Sequence, residues 1–327
     1  MVSILLCCLS GLKGFWGKEV ALYKNPNTRQ KVGKIIMYCS NNEGMPNHEI
    51  LNSGEALGYL GISKKEFENY YKNSKEIKAF KERGRWKFKK GDLDEWKNLR
   101  NKRIVKLNLS EYEECFEFAI KMAYSGNSSR GTGIRGVRSE MQVADDFILG
   151  ILAEYGIKKF LKDKFEAVIK LDMDVHPERI TPQDFEGIYE NGNLRESNMD
   201  VAVKSSKWKN CFNIIAPIEY ENNNRKSDVY IFVRVGLPSD HLFRILRGHS
   251  FFERVKNFLE NSEEFRKINA LEEIPIWIAG FSYHGELEKT KSIPGQTFSG
   301  NPDYRYVKSV RDMKNSDEDW QELISKF

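Results

Sequence analysis

Met199-Asp200-Val201-Ala202-Val203 and Ala216-Pro217-Ile218-Glu219-Tyr220-Glu221 read as two neighbouring strands of one sheet. Side chains alternate across a strand, so Glu219 and Glu221 share a face, as do Asp200, Ala202 and Lys204. Residues 204–211 suffice to turn the chain. In an antiparallel pair, Asp200 near the start of the first strand then faces Glu219 near the end of the second. Three carboxylates at one sheet edge can hold a divalent metal, the minimum equipment for hydrolysing a phosphodiester.

The surroundings of these runs define the fold class. Residues 139–161 carry apolar side chains at helical spacing: Val143, Phe147, Ile148, Ile151, Leu152, Tyr155. Strand candidates follow at 165–171, 185–189, 199–204, 212–221, 229–235 and 276–281, with a helix at 251–260 between the last two. One helix leading a mixed β-sheet flanked by helices is an α/β (α+β) core, spanning 139–327.

Upstream, residues 51–106 have a different grammar. Ser53 caps a helix over 54–60 that Gly61 ends, and Ser63 with Glu66 forms a capping box for a second helix through Lys72. Gly84-Arg85-Trp86-Lys87-Phe88 alternates as a strand, and a last helix over 92–100 carries Leu93 and Trp96 inward. The segment is basic: from Lys64 to Arg103 there are fifteen Lys and Arg against seven acids. The chain as a whole carries +5, so everything outside this block is net acidic. A localised basic block on a near-neutral body suits contact with a polyanion.

Residues 107–138 join the two parts. A helix over 110–124 is followed by a loop with Gly126, Gly131, Gly133 and Gly136, and with Arg130, Arg135 and Arg138. Glycine allows close backbone approach and arginine grips phosphate in a bidentate way. No Gly-Lys-Ser/Thr ends the loop, so it is not a Walker loop. Residues 1–50 are a lead-in with turn signals at Asn25-Pro26-Asn27 and Asn41-Asn42-Glu43-Gly44 and one short strand over 32–39.

Length and composition set the bounds. At 327 residues, two domains fit. The five cysteines form no CxxC pair and no zinc-ligand spacing, which points to reduced thiols of a cytoplasm. No apolar run approaches the ~20 residues a bilayer span requires. The apolar start, with Ile4, Leu5, Leu6 and Leu9, lacks the basic flank of an export signal.

Two resemblances follow from these residues. Ser53-Gly54-Glu55-Ala56-Leu57-Gly58-Tyr59-Leu60-Gly61-Ile62-Ser63, then Gly84-Arg85-Trp86-Lys87-Phe88, then Asp92-Leu93-Asp94-Glu95-Trp96 resemble the excisionase and MerR-like winged helix-turn-helix family. That family binds DNA through its second helix and wing, which implicates Lys64, Lys65, Asn69, Lys72, Arg83, Arg85 and Lys87, with Arg130, Arg135 and Arg138 gripping phosphates beside them. The segment linking second helix and wing is longer and more charged than the family's short link.

From Arg138 onward the chain resembles the PD-(D/E)XK nuclease superfamily, and type II restriction endonucleases in particular. That family places an acid on the leading helix, an acid on the second core strand and an acid-x-Lys on the third. Glu140, Asp200 and Glu219-Tyr220-Glu221 fall in that order. The resemblance implies a restriction-endonuclease-like core in which Glu140, Asp200 and Glu219 hold Mg2+ and Glu221 positions or activates water. It also implies double-stranded DNA as substrate, a homodimer that cuts both strands, and a companion DNA methyltransferase acting on the same site. Glu221 stands where the family has lysine, and a glutamate supplies no positive charge; Lys204 can supply it instead. A rival alignment takes Asp184 or Glu186 as the strand acid and Asp200 with Lys204 as the later pair. It leaves Ala202 where a carboxylate belongs, and Asp184 otherwise reads as a turn residue after Pro182. Two further readings compete with cleavage: a DNA-binding regulator whose C-terminal domain takes a ligand or dimerises, and a toxin that cuts RNA.

Overall fold

The computed structural model describes residues 49–124, 140–173, 184–246 and 271–327. The expected lead-in, the Arg130–Arg138 loop, and the helix at 251–260 lie outside the described residues. Residues 47–327 form one compact unit, an α+β assembly of several sheets and helices.

At its N-terminal end, β1 (Ile50–Asn52) leads into α1 (Ser53–Leu60). Asn52, rather than Ser53, caps α1: its side chain accepts from the Gly54 and Glu55 N–H groups, while Glu55 returns a bond to the Asn52 N–H. Gly61 ends the helix in the left-handed region (φ 63°). The capping box of Ser63 and Glu66 opens α2 (Lys64–Glu68) as the sequence predicts. The helix does not run on unchanged to Lys72. From Asn69 it widens into a π turn closed by the Ser74 N–H on the Asn69 carbonyl (3.0 Å), and this turn buries Tyr70 and Tyr71. β2 (Phe80–Glu82) and β3 (Arg85–Lys89) form a hairpin about Arg83 and Gly84, and β1 pairs with β3. α3 (Lys90–Lys102) buries Leu93 and Trp96.

The main sheet has the order β4-β11-β10-β8, from Ile104–Asn108, Glu273–Tyr283, Val229–Val235 and Val201–Lys207. β8 and β10 are parallel; the other pairs are antiparallel. Odd-numbered residues of β8 and β10 (Val201, Val203, Val229, Ile231, Val233) face a core covered by α4 (Leu109–Tyr124) and α5 (Glu140–Phe165). Gly156 allows the close approach of α5: a Cβ there would come within 2.3 Å of Ile276 Cγ2 on β11. After α5 come β5 (Val168–Leu171), β6 (Phe185–Glu190) and β7 (Asn193–Arg195), an antiparallel meander beyond the β8 edge.

The opposite face of the sheet carries Ala202 and Tyr230, packed with Ile215 and Tyr220. The expected strand over 212–221 is split there. β9 (Phe212–Ile215) stops, and Pro217 opens a single helical turn, α6 (Pro217–Tyr220). β9 pairs with β15 (Arg305–Ser309), not with β8. The antiparallel pairing of the Asp200 and Glu219 runs is therefore corrected: β8 takes the parallel strand β10 on its inner side. α7 (His241–Leu246) follows β10, and His241 is buried between the Tyr112 hydroxyl (2.6 Å) and Asp145 (3.2 Å). The chain closes through the short strands β12 (Glu288–Thr290), β13 (Ser292–Ile293) and β14 (Gln296–Thr297), then α8 (Asp317–Ile324), whose Trp320 is buried in the main core. Among the described residues, no helix is long and apolar enough to cross a membrane.

The N-terminal module is welded to the main sheet. Tyr70 and Trp96 meet Trp277 edge-on, and Arg234 of β10 forms a fully buried bidentate pair with Glu76 (2.6 and 3.0 Å).

Candidate active site

β8 is an edge strand, and its free edge is where polar groups converge. Asp184, just before β6, donates its backbone N–H to the Val201 carbonyl (3.2 Å) and accepts the Val203 N–H on its carboxylate (2.5 Å). Backbone and side chain together fix this carboxylate against the strand. Lys204, on the face shared with Ala202, reaches Glu219 of α6 with Nζ to Oε2 at 2.8 Å. Both side chains are half-buried, at 30% and 25% exposure, so the pair is sheltered yet open to a ligand. Glu154 enters from α5 and Asp172 from the end of β5; both act electrostatically on the same cluster.

Burial pushes the Glu154 carboxyl well above the usual carboxylate range, and the neighbouring charges of Asp184 and Asp172 push it further. Burial likewise raises Asp184; Lys204 and the Val203 N–H oppose this, while Glu219 and Asp172 add to it. Burial alone would lower Lys204, but Glu219 and Asp184 outweigh it and the ammonium stays charged. Two of these carboxyl groups, Glu154 and Asp184, are raised chiefly by burial, and the ammonium of Lys204 stays charged through its electrostatic interaction with Glu219 and Asp184.

Among the described residues, no three His, Cys, Asp or Glu side chains close into a ready-made metal cage. Mg2+ needs no such cage: it is held by one or two carboxylates and keeps several waters. Asp184 and Glu219, the two carboxylates that act on Lys204, are the residues that could hold it.

The sequence-predicted residues are distributed as follows. Glu219 is in the cluster, but Glu221 is not. The chain turns helical at Pro217, so the two no longer alternate on a strand. Glu221 is exposed and held by Tyr306 (2.7 Å), Tyr304 (2.9 Å) and Lys289 (3.5 Å). These hydroxyls, with Lys289, keep its carboxyl below the usual range, which makes it a poor base. Asp200 lies just before β8, where its N–H meets the Asp228 carboxylate (2.9 Å). Glu140 is the first residue of α5; fourteen residues of helix, about 21 Å, separate it from Glu154. Glu186 pairs with Lys170 across β5 and β6.

Of the rival alignment's residues, Asp184 and Lys204 both lie at the β8 edge, Glu186 pairs with Lys170 instead, and Asp200 lies just before β8. The gap at Ala202 has a packing cause: the residue is 3% exposed under Tyr220 and Tyr230, so the carboxylate arrives from α6 instead. Glu154 escaped the sequence reading altogether. Its signal was an acid on the apolar stripe of α5, between Ile151 and Ile157.

Of the basic candidates, Lys64, Lys65, Arg83 and Arg85 are exposed, and Lys87 is partly so. Lys72 is exposed but paired with Glu68 (3.1 Å). Asn69 is corrected: its amide donates to the Lys209 carbonyl (3.1 Å) and accepts from Asn73, so it holds the module to the sheet instead of facing a ligand. Arg130, Arg135 and Arg138 lie outside the described residues.

No protein-family model, curated protein or solved structure matches the chain.

Proposed function

We propose that the chain is a Mg2+-dependent endonuclease of double-stranded DNA, similar to type II restriction enzymes. The observation that carries the reading is the Lys204–Glu219 pair (2.8 Å) at the β8 edge, with Asp184 and Glu154 electrostatically linked to Lys204. These residues come from α5, the approach to β6, β8 and α6, in the order α5, β5, β6, β7, β8, β9, α6, with the parallel strand β10 next. The PD-(D/E)XK core likewise sets a leading-helix acid, a strand acid and a later strand lysine in that order, here with the short strands β7 and β9 added. Residues 50–102 fit the winged helix-turn-helix pattern, with the β2–β3 hairpin as the wing.

Asp184 and Glu219 would hold the Mg2+, which supplies Lewis-acid stabilisation of the phosphoryl oxygens and a more acidic water. The chain's own contributions are distinct. Asp184 is preorganised by the Val203 N–H. Lys204, kept protonated, offers charge to a non-bridging phosphate oxygen, where charge develops in the transition state. Glu154, whose carboxyl burial pushes above the usual range, would keep its proton beside the cluster. Cutting both strands calls for two such sites, hence a homodimer, and a host would need a methyltransferase to protect the same sequence.

The test is incubation of the purified protein with plasmid and phage DNA, with Mg2+ or with EDTA. Discrete fragments appearing only with Mg2+ are the expected result. Salt-sensitive binding without cleavage, on methylated and unmethylated DNA alike, would favour a DNA-binding regulator. Cleavage of RNA in preference to duplex DNA would point to a toxin-like ribonuclease.

A further inference from the structure

A shallow cleft of about 570 Å3 lies on the seam between the N-terminal module and the main sheet. Lys65 of α2 stands on one side; Lys207, Trp208 and Lys209, of the β8–β9 turn, stand on the other. Its floor is apolar and flat, because Gly236 leaves room for Pro275: a Cβ at 236 would come within 2.6 Å of the proline ring.

The charges around this cleft are unbalanced. Among the described residues, Lys65, Lys207 and Lys209 form no ion pair, as is true of several other lysines of the module, but these three gather at one cleft. The one acid lining the cleft, Glu66, is engaged by the Ser63 N–H (2.9 Å). Three unneutralised ammonium groups on two separate elements match a row of anionic oxygens better than one small anion.

Position narrows the choice. Lys207 is three residues along β8 from Lys204, about 10 Å at the rise of a strand, and on the opposite face of that strand. The spacing is rigid, because Asn69 and Tyr70 donate to the Lys209 and Trp208 carbonyls (3.1 and 2.9 Å) and hold the turn to the module. We infer that this cleft seats the sugar-phosphate backbone of bound DNA, with Lys65, Lys207 and Lys209 on phosphates, so that the sequence-reading module and the cutting edge are held in fixed register. The inference rests on the reading of the chain as a DNA-binding nuclease.

The test uses the full chain carrying Asp184→Ala, in EDTA, with a mixed-sequence duplex as the probe. Affinity is measured against NaCl concentration, so cleavage plays no part. Each phosphate contact contributes about 0.9 to the slope of log affinity against log salt. Adding Lys207→Ala and Lys209→Ala should lower the slope by about 2, and the two Lys→Arg changes should restore it. Lys291→Ala, whose side chain pairs with Asp303, should leave it unchanged. An unchanged slope in the double alanine variant, with the parent binding normally, would overturn the cleft assignment and leave the nuclease reading standing. Failure of the parent to bind duplex at any salt would overturn both.

Discussion

Removal of Glu76 should expose how the N-terminal module is fastened to the main sheet. Arg234 is fully buried and Glu76 is 5% exposed; their two hydrogen bonds run at 2.6 and 3.0 Å, and Ser74 supports the carboxylate at 2.7 Å. The guanidinium also lies 4.2 Å from the Trp277 ring centre and 5.2 Å from that of Tyr70. In Glu76→Ala the rings remain but the counter-ion is gone, leaving a charge buried without compensation. Breaking such a pair costs about 3–5 kcal/mol, whereas replacing both partners with apolar groups of similar volume is often neutral. Urea unfolding of the full chain should therefore show Glu76→Ala destabilised by about that amount. Glu76→Ala with Arg234→Met should recover most of it. A loss under about 1 kcal/mol in the single variant, the size of an exposed pair, would refute the argument that this contact is desolvated.

Two other outcomes follow from packing and titration. Gly156→Ala should push α5 off β11 and cost about 1–3 kcal/mol in the same unfolding experiment, since Ile276 cannot retreat from a well-packed sheet; a neutral result would mean the helix sits more loosely than the 2.3 Å approach implies. For pH, Asp184 and Glu154 are both raised in the folded state. The folded protein therefore binds more protons than the unfolded chain between about pH 4 and the raised values, and metal-free stability falls as pH rises through that window. Mg2+ held by Asp184 would displace those protons, so its stabilisation of the melting temperature should grow with pH and vanish in Asp184→Asn. A pH-independent Mg2+ effect would contradict the placement of the metal on these carboxylates.

Much of the fold was legible because local signals agreed with tertiary demand. The capping box at Ser63 and Glu66, the apolar stripe of α5 and the continuous run Val229–Val235 each have one physical solution, and the structure adopts it. The site was less legible because it depends on pairings that alternation cannot reveal. Ile214, Ile215 and Ile218 suggest one long strand, yet Pro217 lacks an N–H for the ladder and starts a helix. That single change takes Glu221 off the face of Glu219. Asp184 looked like a turn residue because its role lies in an edge contact with Val203, nineteen positions away. Glu154 was hidden among apolar neighbours, where only the buried charge of the assembled cluster gives it meaning.

The most direct test compares two sets of variants in one Mg2+-dependent DNA cleavage assay. Asp184→Ala, Lys204→Ala and Glu219→Ala should each lose cutting by roughly 10²-fold or more, the scale for removing a group that stabilises transition-state charge, while still binding DNA. Asp200→Ala and Glu221→Ala should cut nearly as the parent does. Full activity in the first set, or loss confined to the second, would contradict the account and return the chemistry to the acids that the sequence pattern alone singles out.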